Sequence, residues 1–216
     1  MSKLLILLLL GFSLVANASQ DWELIKDKES VQVYSTQQPG YELEHFKGQT
    51  QLPQKADTIL AALQDTKACP EWVYNCISNA MVDMVDVRTR IYHTTIDAPL
   101  WFKDRDFYLQ SHIVYEPTIQ SFIIRFESKP DYQPENNNRR RITDVEMMWI
   151  LEEISDKKTS VTYQVYIDPK LPFKSINHAM IKKSVFETLQ GLSKIVQKSK
   201  YAKIKYSKAD REMLTE

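Results

Sequence analysis

The order of elements constrains this chain most: a long series of short strand-like segments is closed by one amphipathic helix of about 30 residues near the C-terminus. From about Pro172 to Tyr201, the residues Ile181, Val185, Leu189, Leu192 and Val196 recur at helical spacing. Lys182, Lys183, Lys194, Lys198 and Lys200 lie mostly off that stripe, so one face seeks an apolar partner and the other meets water. Pro172 supplies a preset first turn. A sheet that grips this helix around an apolar cavity is the arrangement the order suggests.

The strands are legible upstream. Val31 to Thr36 alternates, Gln37-Gln38-Pro39-Gly40 is a turn signal, and a second strand runs from Tyr41 to about Gln51, which together predict a hairpin. Pro53 then opens a predicted helix to about Asp65, with Ile59, Leu60 and Leu63 on one face. From Asn79 onward the pattern is strand after strand: Ala80 to Val87, Arg88 to Ile96, Asp106 to Glu116, Ser121 to Ser128, Arg141 to Glu153 and Ser160 to Asp168. The links are short, at Asp97-Ala98-Pro99, Glu116-Pro117, Lys129-Pro130 through Asn138, and Asp156-Lys157-Lys158. Short links fit an antiparallel meander, because parallel strands need crossover helices. Val161, Tyr163, Val165 and Ile167 share one parity, as do Val145, Met147, Trp149 and Leu151, which places both sets on the concave, helix-facing side.

Met1 to Ala18 has the pattern of a removable export signal: one charge at Lys3, an apolar run from Leu4 to Ala16, then Ala16-Asn17-Ala18 with small residues where signal peptidase needs them. The run is shorter than the roughly 17 to 25 residues that span a bilayer, so cleavage before Ser19 and a secreted or periplasmic location are the expectation. Residues 19–204 are read as one domain, and 205–216 as a polar tail that frays.

Removing the leader leaves 27 basic residues against 28 acidic ones, which gives no general attraction to nucleic acid or to an anionic membrane. The chain holds 11 Tyr, 8 Phe and 4 Trp, large faces that either pack a core or line a cavity. Cys69 and Cys76 are the only cysteines. Residues seven apart on a continuous helix are about 10 Å apart, so pairing them needs a turn, which Pro70 favours. A bond there closes a loop of eight residues and stabilises by about 2 to 3 kcal/mol in the chain-entropy account; two buried free thiols are the alternative.

Catalytic signatures are scarce. Gly40, Gly48 and Gly191 are the only glycines after the leader, too few for a phosphate-cradling loop or a dinucleotide fingerprint, and there is no Gly-x-Ser-x-Gly elbow. The histidines His45, His93, His112 and His178 lack metal-ligand spacing, and no metal or cofactor is expected. Arg105, in Asp104-Arg105-Asp106, either pairs with an acid and holds a rim together or offers a forked donor to a ligand. Arg125, Glu127 and Glu146 are read as outward-facing sheet residues, with charges facing the cavity as the alternative, and Arg139-Arg140-Arg141 as a solvated run, with a docking site for an anionic group or partner as the alternative.

Several segments are informative in their order and spacing: Trp22-Glu23-Leu24, Phe46-Lys47-Gly48, Trp72-Val73-Tyr74-Asn75-Cys76, Asp97-Ala98-Pro99 through Asp104-Arg105-Asp106-Phe107, Trp149-Ile150-Leu151, and Val161-Thr162-Tyr163 leading to Asp168-Pro169, Pro172 and Asn177. Together they resemble a bacterial START-type lipid-binding domain of the helix-grip superfamily. The resemblance implies an α+β fold in which a curved antiparallel sheet wraps a long C-terminal helix and encloses a tunnel for a lipid, sterol or similar molecule. Family members often carry Gly-Gly after the Asp-Pro, where this chain has Lys170-Leu171. With that resemblance, the candidate ligand contacts are Trp72, Tyr92, Trp101, Arg105, Phe107, Met147, Trp149, Tyr163, Asn177, Ile181 and Val185.

The expected function is non-catalytic binding, sequestration or transfer of one hydrophobic molecule by a monomer that opens through the C-terminal helix and the loops around Trp101 and Pro130, with a membrane as a transient partner. Two alternatives stay open. One is a helix-grip enzyme, cyclase-like or hydrolase-like, using Asp106, Glu146 or His112 as acid or base. The other is an interaction module for an envelope protein, marked by an exposed apolar patch.

Overall fold

Period-two alternation of apolar side chains builds a ten-stranded sheet: β1 (Glu23–Lys28), β2 (Val31–Thr36), β3 (His45–Leu52), β4 (Cys76–Met84), β5 (Thr89–Ile96), β6 (Arg105–Glu116), β7 (Ser121–Ser128), β8 (Arg140–Arg141), β9 (Val145–Ser155) and β10 (Lys158–Ile167). The structure, a computed structural model, describes residues 21–98 and 101–215. The expected leader and its cleavage point before Ser19 lie outside them. The spatial order is β1-β2-β3-β10-β9-β7-β6-β5-β4, with β8 a short parallel addition to β6. Every pairing along the main path is antiparallel, as the short links require. One long-range pairing, β3 on β10, joins the N-terminal strands to the meander.

Among the described residues the α-helices are α1 (Ala56–Gln64), α2 (Cys69–Trp72), α3 (Lys174–Ile195), α4 (Ser199–Ala202) and α5 (Lys208–Met213). The long helix α3 lies in the concave face with Ile181, Val185, Leu189 and Leu192 buried, the stripe expected from spacing. Two glycines set how closely it sits. A Cβ on Gly48 of β3 would meet Leu189 Cδ1 at 2.5 Å and Val185 Cγ1 at 2.6 Å. A Cβ on Gly191 of α3 would overlap the Trp72 carbonyl. The sheet therefore packs on one side of α3 at Val185 and Leu189, and α2 closes on another side at Gly191. The fold is the expected α+β helix grip.

The N-terminal hairpin differs in detail. The structure adds β1, turned back through Glu29 (φ 53°) and Ser30 (φ 61°), two left-handed residues joining adjacent antiparallel strands without the Asn-Gly signal that would have announced them. β3 begins at His45 rather than Tyr41, after the loop containing Gly40 (φ 87°). α1 begins at Ala56 rather than Pro53, because the Thr159 hydroxyl donates to the Gln54 carbonyl at 2.8 Å and pins that corner to β10. The segment expected as one strand from Arg141 divides into β8 and β9.

Past α2, Val73 is extended and Asn75 is left-handed (φ 54°), so the chain turns and returns Cys76 to within 5.9 Å (Cα–Cα) of Cys69. The two cysteines are joined as a disulfide.

The tail is not frayed. Leu214 is buried in the main core, and α5 carries a reciprocal cap between Ser207 and Asp210. The Arg211 guanidinium lies over the adjoining Tyr115 and Phe122 rings, donating to Asp57 at 2.6 Å and pairing with Glu153 at 2.9 Å. Asp57, in the first turn of α1, also accepts from the Tyr206 backbone N–H at 3.0 Å. The polar tail thus docks through buried Leu214 and half-buried Arg211, anchors that composition does not reveal.

Candidate ligand-binding cavity

Strand parity fixes which side chains face α3. Register places Trp149 opposite Tyr163 and Ile124, and Met147 opposite Val165 and Phe126. On β6 the inward set is Arg105, Phe107, Leu109, Ser111 and Ile113, and on β5 it is Arg90, Tyr92, Thr94 and Ile96. Between this concave wall and Met180, Ile181, Ser184 and Thr188 of α3 lies a cavity of about 210 Å³. The segment carrying the disulfide closes it through Cys69 and 72–75. Trp149 and Tyr163 stack with ring centres 4.2 Å apart, and Trp72 meets Trp149 edge-on. Complete burial pushes the Tyr163 phenol well above its usual range, and its hydroxyl is 3.4 Å from Met147 Sδ. That hydroxyl therefore stays neutral within an apolar wall.

Of the residues singled out in the sequence, Trp72, Tyr92, Arg105, Phe107, Met147, Trp149, Tyr163 and Ile181 line the cavity. Three do not. Val185 is fully buried, one helical turn beyond Ile181, and packs on Gly48 of β3. Asn177 lies in a separate small cavity with Leu43 and Phe46, donating to the Leu171 carbonyl at 3.4 Å. Trp101 is 83% exposed on the loop before β6, where no strand parity governs its direction.

Arg105 is 7% exposed and joins two loops rather than pairing with an acid. Its Nε donates to the Pro169 carbonyl at 3.1 Å, its Nη1 donates to the Lys103 carbonyl, and its plane covers the Phe102 ring. Burial, with the nearby Arg140 charge, lowers its pKa from the ordinary value against the opposing influence of Asp104. Lys170 takes a left-handed conformation that glycine adopts more readily (φ 53°). Its ammonium is held between Asp144 at 2.7 Å and Asp168 at 2.8 Å, so the loop before α3 is tethered at this end of the cavity.

The three candidate acid–base groups face away from the cavity, for the same reason of parity. Asp106 lies between inward Arg105 and Phe107, and bonds to Arg141 and His93 on the outer side. Glu146 accepts from the Tyr41 hydroxyl, and His112 Nδ1 contacts the Thr89 hydroxyl. Arg141 is 4% exposed, not solvated, and also donates to the carbonyls of Pro130, Gln133 and Pro134. Arg90, Ser111 and Thr188 are lining residues that the sequence reading missed. For Arg90 the signal was available, since it shares the parity of Tyr92 on a predicted strand.

A curved antiparallel sheet closed on a long helix over an apolar cavity defines a helix-grip protein. The START domain family model matches residues 10–201, and the chain belongs to that family. An uncharacterized Pseudomonas aeruginosa protein is 27% identical over 190 residues, covering 87% of this chain and 93% of its own. Among solved structures, the STAR-related lipid transfer protein of Xanthomonas axonopodis superimposes with a TM-score of 0.75 at 24% identity, over 82% of this chain and 99% of that one. Human STARD10 does so with a TM-score of 0.74 at 18% identity, over 83% and 74%. These two likenesses are statements about the fold.

Proposed function

We propose that this protein holds one lipid-like molecule in the cavity beneath α3 and carries it through water without covalent change. The observation that carries the reading is the space itself: aromatic and aliphatic walls from β6, β7, β9 and β10 stop short of α3 instead of interdigitating with it. Membership of the START domain family, and a solved relative described as a lipid transfer protein, support it. Each methylene moved from water into such walls gains about 0.8 kcal/mol, enough to hold a chain without chemistry.

A volume of about 210 Å³ is below the roughly 300–1,000 Å³ of ligand sites in general, so a long chain requires the walls to part. The end where Arg105 ties Lys103 to Pro169 is the place for that, because exposed Trp101, Phe173 and Ile176 flank the tied loops and offer apolar contact to a membrane during exchange. The leader-like segment and the Cys69–Cys76 disulfide support release into an oxidising, non-cytosolic compartment.

Ser184 lines the cavity from α3 and is only partly buried, so Ser184→Phe should fill the space with little effect on folding. Uptake of a fluorescent fatty acid should fall at least tenfold while the melting temperature changes little. Undiminished uptake by a folded variant would place the ligand elsewhere.

A further inference from the structure

The polar groups at the two ends of the cavity are not equivalent. Arg105 spends two of its three nitrogens on backbone carbonyls. Arg90, at the other end, is different: its Nε is buried with no hydrogen-bond partner, and no acidic side chain lies within ion-pair distance of it among the described residues. An orphaned guanidinium nitrogen at the wall of an apolar space is costly, and natural structures retain such a group where something absent completes it. Around it the cavity wall turns polar. Ser111 is its register partner on β6, and Gln64 of α1 and Arg88 line the same cavity. From this end the β6 wall continues through Leu109 and Phe107 to Arg105. Ile96, the register partner of Arg105, is six steps along β5 from Arg90, which spans about 20 Å at roughly 3.3 Å per residue.

Resting on the carrier reading above, we propose that the ligand is an amphiphile with a carboxylate at one end, which enters head first and is received by Arg90, its chain lying along Leu109 and Phe107 toward Arg105. A carboxylate accepts forked hydrogen bonds from a guanidinium, and Ser111 offers a further donor beside it. A neutral ester oxygen gives the guanidinium no counter-charge and only one acceptor, so an acid is preferred over its ester.

The test compares dodecanoic acid with its methyl ester at neutral pH by displacement of a fluorescent probe from the purified protein. The acid is expected to bind at least tenfold tighter than the ester. Arg90→Met should abolish that preference while leaving ester binding in place, and Arg90→Lys, which keeps the charge, should retain part of it. If either variant fails to fold, the wild-type comparison of acid and ester decides alone. Equal binding of acid and ester, or a preference that survives in Arg90→Met, overturns the assignment of Arg90 and leaves the carrier reading standing. Failure of both ligands to bind overturns the assignment of Arg90, and the carrier reading falls with it only if phospholipids and sterols also fail to bind.

Discussion

Replacing Arg141 by alanine is expected to remove about 3–5 kcal/mol of folding stability, among the largest losses any single polar substitution in this chain can cause. The guanidinium meets Asp106 through two hydrogen bonds at 3.2 and 3.0 Å and gathers three carbonyls from the loop after β7. Its deletion leaves the Asp106 carboxylate, 2% exposed, with only His93 at 3.1 Å. Burial alone raises the pKa of Asp106, but the bonds from Arg141 and His93 outweigh it and hold the carboxyl below its ordinary value. A depressed folded pKa means the contribution is present above the unfolded carboxylate range, near pH 4, and disappears as the pH falls through the folded value. Urea unfolding should therefore show a steep loss of stability for the wild type in acid and a shallower one for Arg141→Ala. Asp106→Leu combined with Arg141→Met should recover much of the loss, because an apolar pair leaves no charge buried alone. A single-variant cost under about 1 kcal/mol would show that water reaches this site freely.

Gly191→Ala is the second, and its sign makes it informative. In the middle of a helix, alanine stabilises by about 1 kcal/mol over glycine. Here the new methyl would lie 2.9 Å from Trp72 Cα and overlap the carbonyl beside it, and backbone cannot yield as a side-chain tip can. Overpacking of this kind costs about 1–3 kcal/mol or more, so a net loss of about 2 kcal/mol is expected, with the segment from Cys69 to Asn75 displaced from the cavity it closes. Thermal unfolding and ligand uptake should fall together. A variant more stable than the wild type would mean that α2 does not seat on α3 as described.

What could be read in advance was whatever obeys a period. The alternation of β9 and β10 named the concave wall correctly, because Met147, Trp149, Tyr163 and Val165 sit in regular register with no bulge between them. The α3 stripe placed Ile181 against the cavity for the same reason. Failures occurred where no period operates. Trp101 lies in a loop, and an aromatic side chain there gives no sign of its direction. Arg141 belongs to a run of three arginines that composition treats as one solvated patch, yet β8 turns that one side chain onto Asp106 while Arg140 stays exposed. The tail docks by pairs far apart in sequence, Asp57 with Arg211 and Tyr115 with Leu214, which no local pattern encodes. Arg90 was a lapse of a different kind: parity with Tyr92 pointed inward, but a charged residue on a strand is ordinarily assigned to solvent.

The most direct test of a hollow, cargo-bearing interior is native mass spectrometry of the protein purified without denaturation. A single adduct of lipid-like mass is predicted, released into organic solvent, absent from Ser184→Phe and restored to stripped wild-type protein by added fatty acid. A bare polypeptide mass that no fatty acid, phospholipid or sterol changes would contradict the account.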